Sequence, residues 1–208
     1  NTAGYGGALY IGDLEGHPAT QFLVYLNRNY VRQNTAHYDG GGFYFLEPWV
    51  SCYRNAIIQN QAVEEGGGVY SQEGWGWFVS NTVADNVAGT VGGGFRRMLT
   101  DNRTLFAKEN IFWGNTAAQQ PSQIVPNQFG SHFVVESNNV EGGYAGTGNF
   151  DLDPNFANPQ RGNYQLRRFS PCIDMRVTEL DELDLKGNPL YDDLGVSNAP
   201  AINLQSDE

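Results

Sequence analysis

Long apolar runs are missing from this chain, and so is any sustained 3.6-residue apolar period. The first absence excludes a membrane-spanning helix; the second excludes a fold dominated by helices. Cysteine is scarce. Cys52 and Cys172 are the only two in 208 residues, too few for a disulfide scaffold. They lie in an early repeat and near the end of the chain, so two free, buried thiols are expected. Positive charge is scarce as well: 12 Lys and Arg stand against 23 Asp and Glu, a net charge of −11. That balance argues against nucleic acid or an anionic bilayer as a partner. Nine of the acidic residues fall in 174–208, beside only Arg176 and Lys186, and read as a solvated acidic tail. His17, His37 and His132 share no zinc-ligand spacing, no Ser/His/Asp set stands out, and no phosphate-binding Gly-x-x-x-x-Gly-Lys-[Ser/Thr] occurs.

What the chain has is a repeat. Asn34-Thr-Ala, Asn60-Gln-Ala, Asn86-Val-Ala and Asn115-Thr-Ala recur at steps of 26, 26 and 29 residues. The first three lead into Gly40-Gly-Gly-Phe43, Gly66-Gly-Gly-Val69 and Gly92-Gly-Gly-Phe95, and Asn1-Thr-Ala with Gly6-Gly-Ala-Leu9 is a looser copy. A second Asn precedes each tag by five residues, at Asn29, Asn55, Asn81 and Asn110. An apolar residue stands three before it, at Val31, Ile57, Val83 and Phe112. A period of this length marks a solenoid, because a unit of about 26 residues cannot bury its apolar side alone. The short segments between glycines carry Val, Ile, Phe, Tyr and Thr, which favour strands.

These features predict an all-β chain, a single right-handed parallel β-helix. Rungs are expected over residues 1–140, with a less regular C-terminal cap over 141–208. Stacked rungs put Val31, Ile57, Val83 and Phe112 in one interior row. Each Asn amide carries both a donor and an acceptor, so the Asn rows can form ladders from rung to rung. Glycines serve the corners.

The tags Val31-Arg-Gln-Asn34, Ile57-Ile-Gln-Asn60, Val83-Ala-Asp-Asn86 and Phe112-Trp-Gly-Asn115 resemble the repeats of bacterial right-handed parallel β-helix surface proteins. The nearest pattern is that of the chlamydial polymorphic membrane proteins. Asp151-Leu-Asp-Pro-Asn-Phe156, Gly162-Asn-Tyr-Gln-Leu166, Ser170-Pro-Cys-Ile-Asp174 and Asp184-Leu-Lys-Gly-Asn-Pro189 resemble the closing region of choice-of-anchor β-helix proteins. The resemblance implies a secreted or surface location and says little about activity. The ending Asp193-Leu-Gly-Val-Ser-Asn198 departs from the family pattern.

Chemistry is expected in the variable intervals between tags. Tyr44 aligns with Tyr70, Glu47 with Glu73, and Trp49 with Trp75, each at a shift of 26, and Trp77 stands beside them. An exposed aromatic strip of this kind suits sugar rings or another protein surface; packed inward, the same rings are core. Glu47 and Glu73 one rung apart could share a proton or bind Ca²⁺, or splay into solvent. Arg96, Arg97, Arg103 and Lys108 fall in one rung around Asp101, a set compatible with neutralising an acidic glycan or with balancing the acidic tail. Asp151, Asp153 and Asn155 mimic the start of a Ca²⁺ loop, but Phe156 replaces its glycine, so an EF-hand is excluded and Ca²⁺ stays a minor candidate.

The functional expectation is an extracellular or cell-surface structural module. It would act by adhesion, by binding glycan or protein, or by head-to-tail assembly of its own copies into a filament, with no cofactor. The alternative is a polysaccharide-active enzyme, a lyase more than a hydrolase. The chain opens on Asn1 inside a repeat, which suggests cleavage, a longer parent chain, or a first rung covered by another copy.

Overall fold

A computed structural model describes residues 1–12, 23–98, 102–119, 121–126 and 132–173. Their strands form four parallel sheets of five strands each and one antiparallel hairpin. The first sheet joins Thr2–Ala3, Thr35–Ala36, Gln61–Ala62, Val87–Ala88 and Thr116–Ala117. The second joins Leu9–Ile11, Phe43–Leu46, Val69–Gln72, Phe95–Met98 and Ile124–Val125. The third joins Leu23–Asn27, Trp49–Tyr53, Trp75–Val79, Leu105–Lys108 and Phe133–Glu136. The fourth joins Tyr30–Arg32, Ala56–Ile58, Thr82–Ala84, Ile111–Trp113 and Asn139–Val140. The chain visits these sheets in order, five times over. The protein is therefore an all-β parallel solenoid, the architecture that the repeat implies.

Register follows the repeat. Val31, Ile57, Val83, Phe112 and Val140 stack in one interior row. Strand alternation brings Phe43, Phe45, Phe78, Phe95 and Phe133 to the same core. The glycine runs fill two needs. Gly40, Gly66 and Gly92 sit at φ of 70°, 66° and 67°, which turns the chain from the first sheet into the second. The glycine after each lies against the next rung, and a Cβ on Gly41 would come within 2.2 Å of the Gly67 carbonyl oxygen.

The asparagines form two continuous ladders. In one, the Nδ2 groups of Asn29, Asn55, Asn81, Asn110 and Asn138 each donate to Oδ1 of the next member, ending at Asn149, over 2.8–3.1 Å. The backbone N–H of each member reaches the same oxygen. In the other, Asn34, Asn60, Asn86 and Asn115 repeat the pattern, and Gln123 ends it by accepting from Asn115 at 2.6 Å. The second Nδ2 hydrogen goes back to a carbonyl of the preceding rung, as from Asn86 to Ile57 O at 2.8 Å. Between the end members Asn29 and Asn149 these amides are buried and hydrogen-bonded, the condition under which polar groups are tolerated in a core.

After the fifth rung the chain does two things. Residues 144–150 lie over the end of the core: Tyr144 packs on the interior cluster, Asn149 ends its ladder, and Phe150 bridges to Asn139. The chain then runs along the outside of the fourth sheet. The hairpin Phe156–Asn158 and Asn163–Leu166 seats Phe156 and Tyr164 on Ala56, Ile58 and Ala84. Tyr30 Oη donates to Gly162 O at 2.9 Å, and Tyr164 Oη donates to Asp85 Oδ2 at 2.5 Å. Cys172 packs on Ile111 and accepts from Asn139. Cys52 and Cys172 are both free and buried, as expected, and burial raises both thiol pKa values, that of Cys172 to about 12. The acidic tail from 174 on, with Asp184, Asp192, Asp193 and Asn198, lies outside the described residues.

Candidate functional site

Two aromatic surfaces stand out. The first is the outer face of the third sheet. Alternation sends Val50, Cys52, Phe78, Leu105 and Ala107 inward, and the residues between them outward. One outward row is Leu23, Trp49 and Trp75; the next is Tyr25, Ser51, Trp77, Phe106 and Val134. Trp49 and Trp75 meet edge to face with ring centroids 6.0 Å apart, and both are half-buried. Trp77 is 36% exposed and stacks on Phe106 at 4.5 Å. Leu23 and Tyr25 are the most open, at 62% and 63%. The alignment of Trp49 with Trp75 is thus a direct register pair. The sequence repeat alone missed Leu23, Tyr25 and Phe106; counting alternate residues back from the interior row finds them.

The second surface is the corner between the first and second sheets. Tyr10, Tyr44 and Tyr70 are register neighbours, with stacked rings 5.1 and 4.9 Å apart. Tyr5 stacks on Tyr38 at 4.9 Å and meets Tyr44 at 5.1 Å. Tyr44 and Tyr70 are buried beneath this cluster, which places them under a surface rather than on an open strip. Burial raises both phenol pKa values, that of Tyr70 to about 12, so both stay neutral. Asp39 lies among them. Its Oδ1 accepts from the Glu65 backbone N–H at 2.9 Å, and desolvation raises its pKa to about 6.

The four basic residues take separate side-chain partners. Arg96 and Arg97 are adjacent on one strand, so they point to opposite sides of it. Arg96 faces out and bonds Glu65 at 2.7 Å. Arg97 is fully buried in the second sheet's inward row, donating to Ser71 Oγ at 3.1 Å and to the Arg103 carbonyl at 3.4 Å. Arg103 approaches Glu73 at 3.6 Å. Lys108 lies on the outer face of the third sheet, paired with Glu136 at 2.9 Å. Asp101 lies outside the described residues.

Glu47 and Glu73 occupy equivalent corners one rung apart, at φ of 62° and 55°, and their backbone N–H groups join the rung ladder. Glu73 turns to Arg103. Asp151 and Asp153 are exposed, and Asp153 Oδ1 accepts from Asn155 N at 2.8 Å, a local turn that holds the carboxylate. Among the described residues no group of three His, Cys, Asp or Glu side chains could hold a metal ion, and no helix is long and apolar enough to cross a membrane.

The fold and these surfaces define a β-solenoid with one aromatic outer sheet and one tyrosine-lined corner. No protein-family model, curated protein or solved structure matches the chain.

Proposed function

We propose that the chain is a structural β-solenoid module of an extracellular or cell-surface protein, and that it adheres to glycan through the outer face of the third sheet. The observation that carries this reading is the set of aromatic side chains on that face, with Trp49 and Trp75 in register and Tyr25 and Trp77, two rungs apart, open to solvent. Rungs repeat at about 4.8 Å, so rings on alternate rungs stand about 10 Å apart, near the spacing of alternate sugars along a chain. Flat rings offer stacking area without charge, which suits neutral sugars. The resemblance of the tags to chlamydial polymorphic membrane proteins, and of the closing motifs to choice-of-anchor proteins, supports the location.

Head-to-tail assembly into a filament draws less support, because Tyr144 and Asn149 occupy the end of the fifth rung. The lyase alternative draws less support, because Arg96, Arg103 and Lys108 each pair with a different carboxylate. Ultraviolet absorbance from an unsaturated uronate product, formed by the purified chain, would restore it.

The test is binding to soluble cello-, xylo- and manno-oligosaccharides by titration calorimetry. At least one series should bind, and Trp77→Ala should weaken it at least tenfold while the chain stays folded. Absence of binding to all three at millimolar concentration, or equal binding by Trp77→Ala, would overturn the reading. A protein receptor that loses affinity on Trp77→Ala would replace glycan as the ligand of the same face.

A further inference from the structure

The corner between the first and second sheets holds two phenols at a fixed spacing. Backbone bonds carry the first-sheet register into this corner: His37 N–H donates to Ala3 O at 2.8 Å, Tyr38 N–H to Gly4 O at 2.9 Å, and Gly6 N–H in turn to Asp39 O at 3.1 Å. Tyr5 and Tyr38 are therefore equivalents one rung apart. Their stacked rings, 4.9 Å between centroids and 27° between planes, repeat the rung spacing of about 4.8 Å. In later rungs the same position carries Glu64, Thr90 and Gln119, which continue the backbone ladder. The phenol pair is confined to the first two rungs.

Openness sets this pair apart from the other tyrosines. Among the described residues, two phenol–phenol contacts join rings that are both exposed: Tyr5 at 43% with Tyr38 at 47%, and Tyr5 with Tyr10 at 45%. The second contact is wider, 6.5 Å, and tilted by 54°. In the remaining contacts one ring is covered. Tyr44 and Tyr70 are buried, and Tyr25, the most exposed phenol, stands 6.2 Å from the half-buried Tyr53. Tyr30 and Tyr164 donate their hydroxyls to Gly162 O and Asp85.

We propose that Tyr5 and Tyr38 are an oxidative cross-linking site, at which a one-electron oxidant, a haem peroxidase supplied with hydrogen peroxide, joins the first rung to the second as dityrosine. Each phenol gives up one electron and its hydroxyl proton and becomes a phenoxyl radical. The two radicals combine at their ortho carbons, forming one C–C bond. The two ortho hydrogens then shift to oxygen, which restores both phenols. One peroxide takes up the two electrons and two protons and leaves as two waters. Rings already in contact supply the proximity that such a coupling needs. They must turn edge toward edge, a rotation about the soft Cβ–Cγ torsion that exposed side chains make readily. Cys52 and Cys172 are both free and buried. The cross-link supplies the covalent staple that they do not, at an end of the described array, where a solenoid frays.

The full chain, kept dilute, is treated with a haem peroxidase and hydrogen peroxide, then digested with trypsin and read by fluorescence and tandem mass spectrometry. Tyr5 lies in the tryptic peptide 1–28 and Tyr38 in 33–54. Monomeric chain should gain the blue fluorescence of dityrosine and lose the mass of two hydrogen atoms. The leading cross-linked species should join these two peptides through Tyr5 and Tyr38. Tyr38→Phe keeps the ring stack without its hydroxyl, and should cut the monomer's signal about tenfold, since proximity selects the pair. Tyr25→Phe, at the most exposed phenol, should leave that signal unchanged. Amide exchange across residues 1–12 should slow about tenfold in the cross-linked chain. Absence of dityrosine from the monomer, a leading cross-link through Tyr25 or between chains, or an undiminished signal from Tyr38→Phe would overturn the proposal. Unchanged amide exchange would overturn the staple. The outcome is independent of the third-sheet reading, because sugar binding at Trp77 enters none of these readouts.

Discussion

The asparagine ladders and the aromatic face of the third sheet are both stacks built by the same rung repeat, yet they have opposite physics. Inside the ladders, between the end members Asn29 and Asn149, the amides are buried, and an interior Oδ1 such as that of Asn86 takes two donors from its neighbour. Nothing there is free to meet a ligand. On the third sheet the stacked side chains are unlike one another, Tyr25, Ser51, Trp77, Phe106 and Val134, and Tyr25 and Trp77 are open to water. Identity along a stack serves stability, because one favourable pairing is multiplied. Variation along a stack leaves room for recognition.

That contrast can be broken most strongly at Asn86. Asn86→Leu removes donors to Asn115 Oδ1 and Ile57 O, and strips Asn60 of the acceptor for two N–H groups. The expected loss is about 4 kcal/mol, read as a lower urea midpoint. A loss below 1 kcal/mol would mean that the ladder merely accompanies the core. Tyr164→Phe comes next. It deletes the bond to Asp85 and should cost about 1–2 kcal/mol in the same measurement, since its acceptor is charged.

Asp39→Asn tests the corner and has the opposite sign. The folded-state pKa of Asp39 is raised from 3.8 to about 6, so its contribution favours folding below pH 3.8 and is lost as pH rises through 6. The group is half-exposed and solvent screens it, so the full shift is not realised. Removing the charge should stabilise the chain by about 1 kcal/mol at pH 7.5 and leave it unchanged below pH 3.8. Thermal melts of both forms across that range decide it. The smallest effect belongs to Tyr25→Ser on the open face, where stability should move by no more than about 0.5 kcal/mol. A larger loss would make that face part of the structural core.

The fold was legible because a 26-residue period leaves few alternatives to a solenoid, and because the Val31, Ile57, Val83 and Phe112 row repeats at a fixed place. The ladder was legible only as far as Asn110. Asn138 follows at 28 residues, inside the range of the earlier steps, but Gly143 stands where its tag Asn would be; Asn149, 11 residues further on, leaves the period. The hairpin lying along the fourth sheet also went unread, although Ile57-Ile58 carried a sign of it. An apolar residue on both sides of a strand requires cover on both faces. Here Ile57 takes the core and Ile58 takes Phe156 and Tyr164. The basic residues show the converse: neighbours in sequence part in space, because alternation sends Arg96 out and Arg97 in.

The outer hairpin has a further consequence for how the molecule comes apart. A solenoid joined only between neighbouring rungs frays from its ends, one unit at a time. Here Tyr30 in the first rung is bonded to Gly162, a contact across 132 residues, and the same segment continues to Cys172 beside Asn139 in the fifth. Peeling the first rung away therefore also breaks a contact with the outer segment. That segment links rungs that are not neighbours, a coupling that a purely nearest-neighbour array lacks.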